Sequence, residues 1–395
     1  SRKYNTTWSV GVGWNLHKEK FIMDHVAWIN VLKLRASIGN PGNQSFDSAQ
    51  SLLTYAFQYG AMNYFGLGAV LSQVGNPDLE WQITVDKNIG LDVTLFNKRF
   101  SLTADYYYKV TDPLLIKVST PLSSGTATYM TNAGEQVSQG FTASVSYYVF
   151  QNFEKRFSWM VRANVRTQKT RIDKIGNKLS TLNSSGKGSN TVRYYDGADP
   201  DDIWAVKSAG IDPSNGKELF YAKDGSYTYD FSYDDEVVCG NTRPDVEGVI
   251  GSSLNWKGFS VSLNFRYQMG ADVFNEALYN KVENISKNDL NKNQDRRALY
   301  ERWQEVGDIV HFKDIASAET TPMSSRFVQE ENVLTLESIY VGYEFYDGWI
   351  KKLGLSSLKI QASMRDVFRA STIRSERGIA YPFARSMEAG LSFNF

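Results

Sequence analysis

Apolar and polar residues alternate along eleven separate stretches of this 395-residue chain. Such alternation is typical of β-strands, because successive side chains of a strand point to opposite faces of the sheet. The last stretch has apolar residues at every second position: Met387, Ala389, Leu391, Phe393 and Phe395. The other ten stretches begin near residues 8, 32, 83, 100, 141, 157, 250, 259, 339 and 358. The pattern predicts an all-β protein whose sheet has one apolar face and one polar face.

The connections between these stretches alternate between short and long. The short ones are 97–98, 151–155, 257–258 and 347–356, and the long ones are 45–80, 110–136, 167–245, 271–333 and 367–385. Antiparallel strands with short turns at one end and long loops at the other are the layout of bacterial outer-membrane barrels. A soluble β-sandwich mixes loop lengths at both ends and rarely contains strands of about ten to thirteen residues. We therefore predict a transmembrane antiparallel β-barrel with long extracellular loops.

The number of predicted strands is odd, and this bears on how much of a barrel the chain contains. Single-chain outer-membrane barrels usually have even strand numbers, and an open sheet would leave unpaired backbone groups in lipid. We therefore expect residues 1–395 to be the C-terminal part of one larger barrel domain, whose first half is absent from the chain.

The alternation also predicts which side chains face lipid and which face the lumen. Five apolar residues are expected on the lipid side near the middle of the membrane: Leu91, Leu102, Val145, Val161 and Leu263. Four arginines are expected on the lumenal side: Arg35, Arg162, Arg166 and Arg266. Four aromatic residues are expected in the belts at the two membrane surfaces, where amphipathic rings are enriched: Tyr106, Tyr108, Trp159 and Trp256.

The composition excludes several classes of function. The 43 basic and 43 acidic residues balance to a net charge of zero. Nucleic acid is therefore not an expected partner, since binding it requires an excess of basic side chains. Cys239 is the single cysteine, so no internal disulfide can form. The three histidines are far apart in sequence and have no obvious carboxylate partner, and we predict that the protein is not an enzyme.

The longest loop concentrates aromatic residues among aspartate, asparagine and lysine. Aromatic faces beside polar groups suit sugar rings or peptide side chains. The candidate residues for contact with a substrate or a partner protein are Tyr194, Tyr195, Trp204, Tyr221 and Tyr229. The alternative is that these rings pack loop against loop. We expect the loops 45–80, 167–245 and 271–333 to carry the functional contacts, since loops of this length are usually functional or disordered.

Three acidic residues in the same loop are the candidates for a metal site. Asp199, Asp201 and Asp202 could hold a structural Ca²⁺, a hard cation that flexible carboxylates bind. The alternative is that they are solvated loop acids, and their spacing does not match that of an EF-hand. No other metal and no cofactor is predicted.

Several short motifs occur in an order that resembles one family. They are Lys33-Leu34-Arg35-Ala36-Ser37-Ile38-Gly39, Asn76-Pro77-Asp78-Leu79-Glu80-Trp81, Gly210-Ile211-Asp212-Pro213, Glu301-Arg302-Trp303, Ser325-Arg326-Phe327 and Tyr381-Pro382-Phe383-Ala384-Arg385. They resemble the SusC/RagA-type TonB-dependent outer-membrane transporters of Bacteroidetes over essentially the whole chain. Two positions depart from the family pattern: Asp366 stands where asparagine is most common, and Ile38 stands where an aromatic residue is commoner.

The resemblance implies a 22-stranded barrel with an N-terminal plug domain, of which this chain would contain about eleven C-terminal strands. It implies the energy-driven import of oligosaccharide or peptide across the outer membrane. The implied partners are the TonB complex, reached through the absent N-terminal part, and a SusD-like surface lipoprotein that acts as a lid, commonly in a dimer of such pairs. The alternatives are a passive porin, a surface adhesin barrel, or a soluble glycan-binding β-protein.

Overall fold

The computed structural model describes residues 6–41, 52–120, 122–126, 128–152, 154–176, 179–188, 192–286, 288, 291–317, 319–346, 348–374 and 385–395. Within these ranges the chain forms twenty β-strands. They are β1 (Trp8–Trp14), β2 (Ile29–Asn40), β3 (Thr54–Asn63), β4 (Gly66–Gln73), β5 (Ile83–Leu95), β6 (Phe100–Asp112), β7 (Leu115–Ser119), β8 (Thr128–Asn132), β9 (Glu135–Asn152), β10 (Phe157–Asp173), β11 (Asp202–Val206), β12 (Ser208–Ile211), β13 (Glu218–Tyr221), β14 (Tyr227–Thr228), β15 (Glu236–Asn241), β16 (Val246–Trp256), β17 (Phe259–Phe274), β18 (Val328–Phe345), β19 (Ser357–Ser371) and β20 (Met387–Asn394).

Helical structure is limited to short segments in the connections. The α-helices are α1 (Lys20–Met23), α2 (Ser180–Ser185) and α3 (Trp349–Lys352). A π-helical segment spans Leu278–Glu283, and single 3-10 turns span Leu16–Lys18, Leu122–Ser124, Tyr233–Asp235, Arg296–Leu299 and Ser325–Phe327. None of the helices in the described ranges has the length and apolar character needed to cross a membrane.

Eleven strands form one antiparallel sheet, and they correspond to the eleven predicted strands. Their order is β1-β2-β5-β6-β9-β10-β16-β17-β18-β19-β20, so that each strand pairs with the next sheet strand along the chain. The short connections all lie at one end of this sheet, the turn end, and the long ones lie at the other, the loop end. The remaining nine strands form four small sheets within the long loops. The all-β antiparallel architecture predicted from the sequence is confirmed, with its eleven strands in one sheet.

The predicted loop boundaries need correction at the loop end. Strand β10 continues to Asp173 and pairs there with Glu135, whereas the loops were expected to span 110–136 and 167–245. Strands β17 and β18 likewise extend into the expected loop 271–333, reaching Phe274 and Val328. In these extensions the strands keep their backbone hydrogen bonds although their side chains no longer alternate between apolar and polar. A strand segment that lies outside lipid can be polar on both faces, so its sequence does not have to alternate. Residues 45–51 of the expected loop 45–80, and the motif at 381–384, lie outside the described residues.

The register aligns side chains into continuous rows across nine neighbouring strands. One row consists entirely of apolar residues: Leu32, Val93, Leu102, Val145, Ala163, Ile250, Phe265, Leu336 and Phe368. The next row points to the opposite face and is polar except for Val249: Lys33, Asp92, Thr103, Ser144, Asn164, Val249, Arg266, Thr335 and Arg369. These rows define the apolar face and the polar face of the sheet.

The residues predicted to face lipid all lie on the apolar face. Leu102 and Val145 belong to the apolar row itself, and Leu91 lies in the next row on the same side, beside Leu34 and Ala104. Val161 and Leu263 both pair with Ser252, one row nearer the turn end. The two faces therefore have the sidedness expected of a wall between lipid and an aqueous lumen.

The polar face carries charge pairs between neighbouring strands. Arg35 Nε donates to Asp92 Oδ2 over 2.8 Å and its guanidinium also contacts Asp105 at 3.1 Å. Two further arginines predicted on this face form ion pairs, Arg166 with Glu247 and Arg266 with Glu337. Arg162 donates to the neutral side chain of Asn264, two strands away. These contacts keep the four arginines hydrogen-bonded along the polar face.

The predicted aromatic residues lie towards opposite ends of the apolar face. Tyr106 and Tyr108 are near the loop end of β6, and Trp159 and Trp256 are near the turn end. The Trp159 ring stacks on Phe150 with a centroid distance of 6.3 Å, and its Nε1 donates to Ser252 Oγ over 3.0 Å. The two pairs lie on opposite sides of the apolar row, as the aromatic belts at the two surfaces of a membrane do.

The sidedness of the sheet predicts the effect of a charge on the apolar face. Leu91→Arg should lower the free energy of unfolding by about 2–4 kcal/mol, because the guanidinium would face lipid near the middle of the membrane. Thr103→Arg, one row away on the polar face, is the matched control and should cost much less. Denaturant unfolding of the full-length protein in lipid vesicles measures both. Equal losses for the two variants would show that the faces are assigned wrongly.

Candidate functional site

The long loops fold into a platform at the loop end of the sheet. The hairpin of β12 and β13 turns at residues 212–217 and docks on the loop between β17 and β18. Gly216 has a φ of +70°, and a Cβ at this position would lie 2.6 Å from the Trp303 ring. Trp303 Nε1 donates to Pro213 O over 3.1 Å. The Gly-Ile-Asp-Pro and Glu-Arg-Trp motifs are therefore the two sides of one contact.

A buried ion cluster holds the same two loops together. Arg326 Nη2 contacts Glu218 Oε2 at 2.8 Å and Glu283 Oε1 at 2.7 Å. The three side chains are 8%, 6% and 0% exposed. Burial works against the charge of Arg326, but the hydrogen bonds and charges of the two glutamates outweigh it, so the pKa of Arg326 is raised above its ordinary value. Removing one member of such a cluster would leave a buried charge uncompensated.

Arg302 joins three backbone segments in the neighbouring part of the platform. Its Nε donates to Ala298 O over 2.6 Å, its Nη1 donates to Lys313 O over 2.9 Å, and its Nη2 donates to Val282 O. Burial lowers the pKa of Arg302. Backbone carbonyls within a loop otherwise need water as a partner, and this guanidinium supplies donors to three of them.

A cavity of about 470 Å³ lies where this platform meets the ends of β17, β18 and β19. We call it the Trp204 cavity. Its apolar lining comes from β11, β17 and the connections around them: Ile203, Trp204, Val273, Phe274, Met323 and Ile373. Arg369, which also lines it, belongs to the polar row of the sheet and is bound to Glu331. The cavity is therefore on the polar-face side of the wall.

Four polar side chains of the cavity lining are bound to other side chains or to backbone groups. Glu331 accepts from Arg369 Nη2 and from Ser371 Oγ, each over 2.8 Å. Glu236 accepts from Gly188 N over 2.7 Å and forms a buried pair with Arg193 at 3.3 Å.

Asn275, which is buried, and Thr242, which is exposed, also have partners within the protein. Asn275 donates to Gln329 over 2.9 Å and accepts from Leu278 N over 3.0 Å, while Thr242 Oγ1 donates to Asp201 O over 3.2 Å. Among the described lining residues, the Trp204 Nε1 is a buried donor without a hydrogen-bond partner.

The structure brings two of the five predicted loop aromatics together at this cavity. Trp204 lines it, and the exposed ring of Tyr195 packs on Trp204 at a centroid distance of 5.5 Å. Phe274, Met323 and Arg369 are lining residues that sequence reasoning missed, since they come from separate parts of the chain and carry no local pattern that marks them.

The other three predicted aromatics pack within the loops. Tyr194 lies against the buried cluster that includes Ile172 and Ile175, and burial raises the pKa of its hydroxyl. Tyr221 packs on Tyr227 at 4.9 Å. Tyr229 OH bonds to Asp212 and to Asn215 in the β12–β13 turn. These three rings therefore make contacts within the loops, which was the alternative to contact with a substrate or a partner protein.

The candidate Ca²⁺ ligands are engaged with other side chains and with backbone. Asp199 pairs with Arg243 at 3.1 Å, and the same guanidinium contacts Asp201. Asp202 accepts from Asp199 N over 2.9 Å and from Asn241 Nδ2 over 3.0 Å. Across the part of the chain that the structure describes, no group of three His, Cys, Asp or Glu side chains is arranged to hold a metal ion.

Comparisons with known proteins agree with this architecture. The profile of the family described as TonB dependent receptor-like, beta-barrel, matches residues 1–285. A TonB-dependent receptor of Formosa agariphila is 26% identical over 91% of this chain and 38% of its own length. The TonB-dependent receptor SusC of Bacteroides thetaiotaomicron is 25% identical over 100% of this chain and 40% of its own length. The chain thus spans about 40% of the length of these curated relatives.

The structural comparison concerns the fold. The RagAB peptide importer in its closed-closed state superposes with a TM-score of 0.81 and 22% sequence identity, covering 98% of this chain and 43% of that chain. A second structure, of the RagAB peptide transporter, has a TM-score of 0.77 over 93% of this chain. The resemblance drawn from the sequence motifs is confirmed.

The ion cluster predicts how the platform responds to its loss. Arg326→Met should destabilise the platform by about 3–5 kcal/mol, because two buried carboxylates lose their shared cation. We expect faster amide hydrogen exchange in 208–230 and 301–326 while the sheet stays protected. Lys187→Met, which removes an exposed partner of Asp234, is the matched control and should leave exchange unchanged. Unchanged exchange in the Arg326 variant would mean that the cluster does not hold the platform.

Proposed function

Because the chain belongs to the TonB-dependent receptor-like β-barrel family, we propose that it forms part of an outer-membrane transporter that imports oligosaccharide or peptide with energy supplied through TonB. The observation that carries the proposal is the position of the Trp204 cavity, on the polar-face side of the wall and beneath folded loops. A molecule captured there would lie at the mouth of the lumen. The name of the RagAB peptide importer supports peptide as one of these two classes.

The location proposed is the outer membrane, with the long loops outside the cell. The support is the continuous apolar row, which includes Leu102, Val145 and Ile250, and the polar row beside it. Burying the apolar row in lipid is favourable, whereas the ion pair of Arg35 with Asp92 suits an aqueous lumen.

A SusD-like lipoprotein is the partner that we propose for the loop side. The support is the hairpin of β3 and β4, which projects from the loop end and exposes several large apolar side chains. Tyr59, Tyr64 and Phe65 are 82%, 96% and 93% exposed. Contiguous exposed apolar surface of this kind usually marks a protein contact. The resemblance to SusC/RagA-type transporters implies a dimer of transporter–lid pairs, and we propose the same assembly for this protein.

The proposed transport predicts that uptake depends on TonB. Cells that contain the full-length protein should take up a labelled oligosaccharide or a labelled peptide, and uptake should be lost in a strain without TonB and in a strain without this protein. The measurement is cell-associated label over time, with outer-membrane amounts of the protein checked in each strain. Uptake that persists without TonB would point to a passive pore, which is the alternative.

The exposed hairpin predicts the effect of its substitution on the partner. The triple variant Tyr59→Ser, Tyr64→Ser and Phe65→Ser should lose most of the lipoprotein that co-purifies with the full-length protein, because apolar contact area is removed. Phe21→Ser is the control, since Phe21 is exposed at the turn end. Co-purification that stays at the wild-type level in the triple variant would contradict a docking role for the hairpin.

A further inference from the structure

We propose that the Trp204 cavity is a subsite for one bulky apolar side chain of a peptide, aromatic or branched aliphatic. The proposal rests on the import function proposed above and names the chemical group that the site selects. It concerns binding at the platform, before any transport step.

The walls of the cavity are largely apolar. Side chains from three separate parts of the chain converge on it, and they are apolar: Trp204 from the longest loop, Phe274 from the end of β17, and Met323 from the loop before β18. A volume of about 470 Å³ lies within the range of about 300–1,000 Å³ that is usual for ligand sites. Burying an apolar group against these walls is favourable without any new hydrogen bond.

The two carboxylates best enclosed in the lining are already paired with arginines. Glu331 Oε1 accepts from Arg369 and Ser371, and Glu236 accepts from Arg193 and a backbone amide. An apolar group that enters the cavity therefore does not leave either carboxylate as an unpaired charge.

The position of the cavity adds a consequence for transport. Arg369 and Glu331 form an ion pair on the polar face, in the wall that would border the lumen. A side chain held against Trp204 would therefore leave the rest of the peptide on the lumenal side of the platform. The subsite would select which peptides enter without enclosing the whole molecule.

The test uses the purified full-length protein and three probes, the tetrapeptides Gly-Gly-Phe-Gly and Gly-Gly-Ser-Gly and the oligosaccharide maltoheptaose, with affinities measured by calorimetry. We expect the Phe peptide to bind at least tenfold more tightly than the Ser peptide, as burial of a large apolar side chain predicts.

Ala277→Phe, which would fill the cavity, should abolish the difference and leave the Ser peptide unchanged. Trp204→Ala should reduce the difference, and Trp204→Phe should retain most of it because the apolar wall is kept.

A control and a second readout separate the possible failures. Tyr227→Ala alters an exposed loop aromatic outside the cavity lining and should retain the full preference for the Phe peptide. Equal binding of the two peptides, binding of maltoheptaose that Ala277→Phe blocks, or no binding of any probe would each overturn the subsite. TonB-dependent uptake into cells is measured separately, so its loss would contradict the proposed function and not the subsite.

Discussion

The register of the eleven-stranded sheet is the constraint on which the rest of the structure depends. Backbone hydrogen bonds between neighbouring strands fix which residues lie side by side, and they align Leu102 with Val145 and Thr103 with Ser144 across the same pair of strands. Because side chains alternate between the two faces, a slip of one residue in any strand would move its apolar set to the polar side. The charge pairs of the polar face, such as Arg35 with Asp92, depend on the same alignment.

The loops beyond the end of the sheet bury both an apolar cluster around Ile172 and a set of polar contacts. Arg326 connects Glu218 and Glu283, which come from different loops, and Arg302 satisfies three backbone carbonyls nearby. Buried ion pairs of this kind contribute little net stability, but they tolerate only one arrangement of their partners. The Trp204 cavity is a product of that arrangement, since its walls are supplied by segments that the platform holds in place.

The sheet could be predicted from sequence because alternation is a local property. Each of the eleven strands, including Met387–Asn394, carries its own pattern of apolar and polar positions. The strand ends could not be predicted, because β10 continues to Asp173 through residues that have no apolar alternation.

The candidate site could be predicted only in part. Composition pointed to Trp204 and Tyr195, which do lie together, but it could not separate them from Tyr194, which packs on a buried cluster instead. Met323 and Arg369 reach the same cavity through tertiary packing between distant parts of the chain. The short motifs identified residues that stabilise the platform. Trp303 donates a hydrogen bond to Pro213 O, and Arg326 forms an ion pair with Glu218.

The most direct test of the account is a measurement of which environment each face of the sheet meets. Single cysteines are placed at Leu102, Val145 and Ile250 in the apolar row and at Thr103, Ser144 and Asn164 in the polar row, in full-length protein with Cys239→Ser. Spin labels at these positions are then compared in lipid vesicles for collision with oxygen, which concentrates in lipid, and with a water-soluble nickel complex. We expect oxygen access for the first set, which faces lipid, and nickel access for the second, which faces water. Equal access for the two sets, or the reverse pattern, would contradict the assignment of the two faces.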